Sequence, residues 1–232
     1  EEVRSKINSR TAGLIINSPH NPTGMVMSSA DMTELQKIVV ENDLLILSDE
    51  VYNHIIFDGI EHQSILSYPE LRKRGVAIYS FGKTFHATGW KIGYCVAPDY
   101  LTRELRRVHQ FVAFSVNTPI QMALAEFLKE PMHYLSLGNF FKEKRDLFLN
   151  LMKGSRFVPM PCNGTYFQLM KYDNISELPD TEMSTWMTKE HGVASIPTSV
   201  FYHRKTDHKI LRFCFGKNED TLTRAAEKLC KI

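Results

Sequence analysis

The sequence predicts an α/β protein: a three-layer, mostly parallel sheet in a large domain, followed by a smaller α+β domain at the C-terminal side. Three observations carry this. Short apolar runs at residues 11–17, 44–48, 76–80 and 92–96 alternate with helical stretches. These runs lack strict two-residue alternation, which suits strands covered on both faces. Beyond residue 130 the pattern changes to one long amphipathic stretch followed by short strands mixed with helices. Residues 1–130 are therefore assigned to the large domain. Residues 131–232, with the long connecting helix, are assigned to the smaller one.

Each element has a local reason. Residues 2–6 read as a helical tail leading at once into the 11–17 strand. The chain opens with Glu1 and not with methionine, and that start reads as entry into the middle of a domain. An N-terminal piece of the large domain is expected to be missing from this chain. Pro19, Asn21, Pro22 and Gly24 make residues 18–24 a turn-rich loop, and Asn21–Pro22 is a candidate cis peptide. Ser29 is a plausible N-cap for a helix over 30–41. Further helices are expected at 101–112 and 119–129, and a single long one at 133–153, stopped by Gly154. Strands follow at 157–160 and 164–171, around a turn at Cys162, Asn163 and Gly164. A helix at 181–191 ends at Gly192. Strands at 193–196 and 210–215 and a helix at 219–230 complete the chain.

Composition excludes several classes. The formal net charge of +2 is too small to argue for nucleic acid, and Arg72, Lys73 and Arg74 read as a solvated helix end. No apolar run approaches the ~18 residues that a bilayer span needs. Cys95, Cys162, Cys214 and Cys230 are far apart and show no metal-ligand spacing, so no metal is expected. They read as reduced packing residues in a cytoplasmic protein.

In doubly wound sheets, functional groups gather at the carboxyl ends of strands. Asn21, Asp49 and Lys83 all follow predicted strands directly. A random lysine is a surface lysine, but one held in a site that favours its unprotonated amine can form a Schiff base. Asp49, at the end of a buried strand, needs a cationic or hydrogen-bonding partner. A protonated pyridine nitrogen would serve; capping the next turn is the plainer use. Tyr52 and Asn21 could both donate to a ring oxygen. An ordinary half-buried tyrosine and simple turn chemistry explain them equally well. Ser80 and Lys91 flank Lys83 with a hydroxyl and a cation suited to a phosphate; a turn serine and a surface lysine are their plain readings. Arg212 stands between Leu211 and Phe213 in a predicted strand, where a guanidinium demands an anion. A carboxylate held bidentately fits best, a structural salt bridge equally well if Arg212 is taken alone.

Together these segments resemble a known family. NPTG at 21–24, SDEVY at 48–52, SFGKTFHATGWKIGY at 80–94 and LRF at 211–213 are similar, in order and spacing, to class I and II pyridoxal-phosphate-dependent aminotransferases of the aspartate aminotransferase fold type. More narrowly, GWKIGYCVAP at 89–98, HQFVAFSVNTP at 109–119 and GVASIPTSVF at 192–201 resemble bacterial methionine aminotransferases, relatives of the kynurenine and glutamine transaminases. The resemblance implies pyridoxal 5'-phosphate as cofactor. Lys83 matches the Schiff-base lysine and proton shuttle, and Asp49 the ring-nitrogen partner. Asn21 and Tyr52 match the ring-oxygen donors. Ser80 and Lys91 match phosphate ligands, although many relatives carry arginine at the position of Lys91. Arg212, with Asn21 beside the substrate, matches the carboxylate clamp. Asn117 lies in a loop that approaches a neighbouring subunit in relatives, and a homodimer is implied.

The implied activity is transamination between an amino acid and a 2-oxo acid. The donor is methionine or an aromatic or neutral amino acid. Three alternatives stay open on sequence. One is a carbon–sulfur β-lyase on the same scaffold. Another is a catalytically silent fragment that lacks N-terminal elements. The last is a non-enzymatic cofactor-binding sensor.

Overall fold

The computed structural model describes residues 1–232. The chain forms two compact units. The first comprises residues 1–19, 26–54 and 61–137. The second comprises residues 20–25, 55–60 and 138–232.

In the first unit, helix α1 (Glu2–Lys6) precedes strand β1 (Gly13–Asn17), helix α2 (Ser29–Glu41) and strand β2 (Leu45–Asp49). Helix α3 (Pro69–Arg72), strand β3 (Gly75–Ser80), the single turn α4 (Phe81–Thr84) and strand β4 (Gly93–Val96) follow. Helices α5 (Asp99–Val112), α6 (Thr118–Phe127) and α7 (Met132–Leu135) complete it. The sheet runs β1-β2-β3-β4. β1, β2 and β3 are parallel, with Asn17 opposite Asp49 and Asp49 opposite Ile78. β4 returns antiparallel, pairing Gly93 with Ser80. Asn17, Asp49 and Ser80 thus lie along one edge, where three strands finish.

Helix α2 is capped by Ser28, one residue before the position expected from sequence. The Ser28 hydroxyl accepts from the Asp31 amide at 3.1 Å, and Asp31 Oδ2 accepts from the Ser28 amide at 2.9 Å. Asp31 is what makes Ser28 the better cap: it closes a reciprocal box that Ser29 could not. The buried stripe Met32, Leu35 and Val39 of α2 packs with Leu44, Ile46, Ile65, Leu71, Ala77 and Tyr79. That cluster dresses one face of the sheet. On the opposite side chains of the same strands, Ile15 stands 78% exposed and Leu45 45% exposed.

The second unit is built on helix α8 (Leu137–Leu151) and a sheet of β5 (Val158–Pro159), β6 (Phe167–Lys171), β7 (Ile196–Pro197) and β8 (Ile210–Cys214). Its order is β5-β6-β8-β7, antiparallel throughout. Helix α9 (Asp180–Trp186) widens into a π turn over Met187–His191 and stops at Gly192, whose φ of 63° needs glycine's freedom. Helix α10 (Glu219–Leu229), capped by the Asn218 side chain, closes the chain.

Several elements differ from the sequence reading. The helix expected at 133–153 is broken into α7 and α8 at Ser136, whose hydroxyl donates to the Met132 carbonyl at 2.7 Å. Such back-bonding loosens the regular ladder. The strand expected at 164–171 starts only at Phe167, because Thr165 has a φ of 66° and cannot continue an extended run. The strand expected at 157–160 shrinks to the two-residue β5, and the one expected at 193–196 gives way to a two-residue β7 at 196–197; each contains a proline that has no amide to donate. The change of unit falls between residues 137 and 138, and not at 130. Residues 20–25 and 55–60 group with the second unit.

Candidate active site

In the first unit, parallel strands deliver chemistry to one edge. β2 ends at Asp49, and the chain turns so that the Asn53 amide reaches the Glu50 carbonyl at 3.0 Å. Tyr52 is buried in this turn, 3% exposed. β3 ends at Ser80 and passes directly into α4, which carries Lys83. Gly82 permits that turn: a Cβ there would stand 2.9 Å from Thr88 Cα and 3.2 Å from the Ala87 carbonyl oxygen.

Lys83 Nζ lies 5.9 Å from the centre of the Tyr52 ring. It makes no hydrogen bond or ion pair within the chain. Burial pushes the Asp49 carboxyl above the ordinary aspartate range, opposed by the Val51 amide and by the positive charge of Lys83. Its Oδ1 accepts from the Val51 amide at 3.3 Å, and Oδ2 has no donor in the chain. The strand end itself is pinned from β1: the Asn17 side-chain amide and the Ser18 amide donate to the Asp49 carbonyl at 2.9 and 3.1 Å. Ser80 stands at the N-cap of α4 without spending its hydroxyl on the cap. Lys91 is exposed after a short turn, with a left-handed φ of 56°. Asn117 caps α6 through its side chain, which accepts from the Ile120 amide at 3.2 Å.

The second unit holds the other two predicted residues together. Arg212 lies within β8, opposite Leu169 of β6 and Ile196 of β7. Its Nη1 donates to Asn21 Oδ1 at 2.6 Å. The guanidinium carbon lies 4.1 Å from the Phe167 ring centre and 5.7 Å from that of Phe201, within cation–π range of both rings. Asn21 is joined to Pro22 by a cis peptide, as is Ser18 to Pro19. Gly24 has a φ of 71°, and a Cβ there would meet Cys162 Sγ at 2.9 Å. Its carbonyl accepts from the Asn163 amide at 3.0 Å, seating the 20–25 loop in this unit.

The structure thus brings Asp49, Tyr52 and Lys83 together, and separately Arg212 with Asn21. Sequence reasoning passed over Glu50 and His62, which are joined beside Asp49 by a hydrogen bond between Glu50 Oε2 and His62 Nε2 at 2.8 Å. The signal was a second carboxylate straight after Asp49 at the end of an apolar strand.

The first unit thus carries a lysine, a half-buried carboxylate and a phenol at one end of a parallel sheet, and the second an arginine backed by aromatic rings. The chain belongs to the aminotransferase class I and II family, whose model matches residues 1–229. It is 49% identical over 233 residues to the methionine aminotransferase of Escherichia coli K12, covering 100% of this chain and 60% of that protein. It is 34% identical over 252 residues to the human kynurenine–oxoglutarate transaminase 1, covering 99% of this chain and 60% of that one. Among solved structures, YbdL from Escherichia coli, described as having a methionine aminotransferase function, superposes with a TM-score of 0.97 at 48% identity. That match covers 100% of this chain and 61% of the other. The N-succinyldiaminopimelate aminotransferase of Mycobacterium tuberculosis gives 0.94 at 32% identity, covering 99% and 60%. The chain therefore spans about 60% of the length of the relatives it matches.

Proposed function

We propose that this chain carries the lysine, acid and carboxylate clamp of a pyridoxal-phosphate-dependent aminotransferase. The donor is an amino acid with a thioether, aromatic or other neutral side chain, methionine foremost, and the acceptor is a 2-oxo acid. The observation that carries this reading is the uncommitted amine of Lys83, 5.9 Å from the Tyr52 ring centre and within the field of Asp49.

The residues fit the cofactor by their chemistry. Asp49 has a half-buried oxygen without a donor, and the Ser80 hydroxyl is unspent. Bound pyridoxal phosphate supplies an electron-withdrawing ring that takes up charge from the substrate's α-carbon. In this reading Lys83 holds the cofactor through Nζ and then moves the proton at the α-carbon. The Asp49 carboxylate would be the partner that keeps a bound ring nitrogen protonated. The family resemblance would give Tyr52 and Asn21 the role of ring-oxygen donors, and Ser80 and Lys91 that of phosphate ligands. Arg212, packed near the Phe167 ring and bonded to Asn21, would bind the substrate carboxylate. A homodimer and a cytoplasmic setting complete the reading; no helix is long and apolar enough to cross a membrane.

The test is the absorbance spectrum of the purified protein with pyridoxal phosphate, for the parent and for Lys83→Ala. A visible band that survives gel filtration in the parent and is lost in the variant supports the reading. Absence of a band in the parent overturns it for this chain. Product analysis separates transamination from β-elimination: a 2-oxo acid that keeps the side chain, against pyruvate plus a thiol.

A further inference from the structure

Glu50 has no part in that chemistry, yet it is the most thoroughly satisfied buried charge in the first unit. Its exposure is 0%. Oε1 accepts from the Ser48 hydroxyl at 2.9 Å and from the Ile65 amide at 3.0 Å. Oε2 accepts from the Tyr79 hydroxyl at 2.7 Å and pairs with His62 Nε2 at 2.8 Å. The Ser64 hydroxyl adds a contact to the Tyr79 hydroxyl at 3.2 Å. Burial alone would drive this carboxyl up, but the bonds from His62 and Tyr79 outweigh it and hold it below the ordinary glutamate range. A buried carboxylate is retained at such cost only when every lone pair is met.

The donors come from three separate places. Ser48 is in β2, His62 and Ile65 are in the segment after the Tyr52 turn, and Tyr79 is in β3. The Glu50 amide also donates to the Ile78 carbonyl at 2.9 Å. Glu50 directly follows Asp49, and Tyr79 directly precedes Ser80, from which α4 presents Lys83. His62 Nδ1 is buried without a partner, so the ring is committed to Glu50 alone. Tyr79 continues the connection by stacking on Tyr94, centroids 4.8 Å apart, and Tyr94 in turn meets Phe81 at 5.1 Å.

We propose that Glu50 is a positioning residue. Its carboxylate, saturated by Ser48, His62, Ile65 and Tyr79, locks the ends of β2 and β3 together so that Asp49 and Lys83 are presented at a fixed separation. It acts through those two residues and touches neither cofactor nor substrate. The inference rests on the aminotransferase reading for its purpose, but its geometry stands in the chain alone.

The experiment is amide hydrogen exchange on the cofactor-free protein, for the parent, Glu50→Gln and Tyr79→Phe, joined to a pyridoxal phosphate titration of the Lys83-dependent band. In Glu50→Gln, exchange at residues 49–52 and 80–84 should rise about tenfold, the scale of one weakened charge-assisted hydrogen bond, with β1 unchanged. Tyr79→Phe should loosen the same two stretches to a smaller degree, and it decides the matter if Glu50→Gln does not fold. Apparent cofactor affinity should fall while the band at saturation is unchanged. Unaltered exchange overturns the proposal. A uniform rise across β1, β2 and β3 also overturns it, because that is what loss of mere core packing produces. If the parent forms no band, the aminotransferase reading fails, and the exchange pattern still decides the role of Glu50.

Discussion

Arg212 Nη1 donates to Asn21 Oδ1 over 2.6 Å, two residues separated by 191 positions in the chain. The bond uses one Nη1 hydrogen of the guanidinium, whose carbon lies 4.1 Å from the Phe167 ring centre. Lysine has no fork to aim and no plane to stack. If Arg212 is the carboxylate clamp proposed above, Arg212→Lys should raise KM for the amino acid roughly 10- to 100-fold with a smaller change in kcat, as expected of a contact made alike in ground and transition states. Steady-state kinetics with methionine checks this; an unchanged KM would move the carboxylate elsewhere.

Asp49→Asn keeps the shape of the side chain and removes its charge. The Lys83-dependent band should still form, while turnover falls about 100-fold or more, as expected when a preorganised charge is lost from a reacting centre. Single-turnover measurement of band bleaching by methionine separates this from lost binding. A variant with near-parent turnover would remove Asp49 from the mechanism.

Gly82→Ala should be harmful out of proportion to one methyl group. The added Cβ meets backbone, Thr88 Cα at 2.9 Å, so the turn carrying Lys83 must shift. Overpacking of this kind costs about 1–3 kcal/mol. The band should weaken or vanish even where circular dichroism reports a folded chain.

Stability should fall on the acid side, with the sign set by the carboxylates. The Arg145 guanidinium holds Asp58 below the usual aspartate range, and Glu50 is likewise held low. Unfolded, such groups take up protons near their ordinary values of about 4. Their contribution is therefore present above that pH and is lost as pH falls through the lower folded values. Asp49 runs the other way, since burial raises its carboxyl and acid relieves that strain. Urea midpoints between neutral pH and pH 3 should decline, and Glu50→Gln should flatten the decline. A midpoint that rises with acid would contradict the assignment.

Arg145 is 7% exposed and grips Asp58 through two bonds, 2.7 and 3.0 Å, while a third donates to the Cys162 carbonyl at 2.9 Å. Arg145→Met fills the volume but abandons these acceptors. A loss of about 2–3 kcal/mol is expected, discounted for the partial exposure of Asp58. Chemical denaturation should show a lower midpoint with an unchanged slope.

Much of this was legible in the sequence for physical reasons. Asp49 and Lys83 could be placed because apolar strands such as β2 and β3 end abruptly in polar residues, and the parallel order then sets those ends on one edge. The cap at Ser28 was misread by one position because two serines compete, and Asp31, which chooses between them, acts through its side chain. The break at Ser136 was invisible because the helical periodicity runs through it; a single hydroxyl bond ends α7. Glu50 looked like one more charged residue in a turn. Its burial depends on His62, Ile65 and Tyr79, and no local pattern announces partners so far apart.

The second unit is sewn from distant cloth. The Phe57 amide donates to the Asn163 carbonyl, the Thr165 amide to the Ile55 carbonyl and the Asn163 amide to the Gly24 carbonyl, at 2.9, 2.9 and 3.0 Å. A gene fragment encoding only residues 138–232 would leave those carbonyls and amides unmatched and the Cys162 turn without its cover. The C-terminal portion is thus no transferable cassette. During synthesis residues 20–25 and 55–60 must wait for the portion they join, and contacts of such wide sequence separation favour a late closure of this unit in folding.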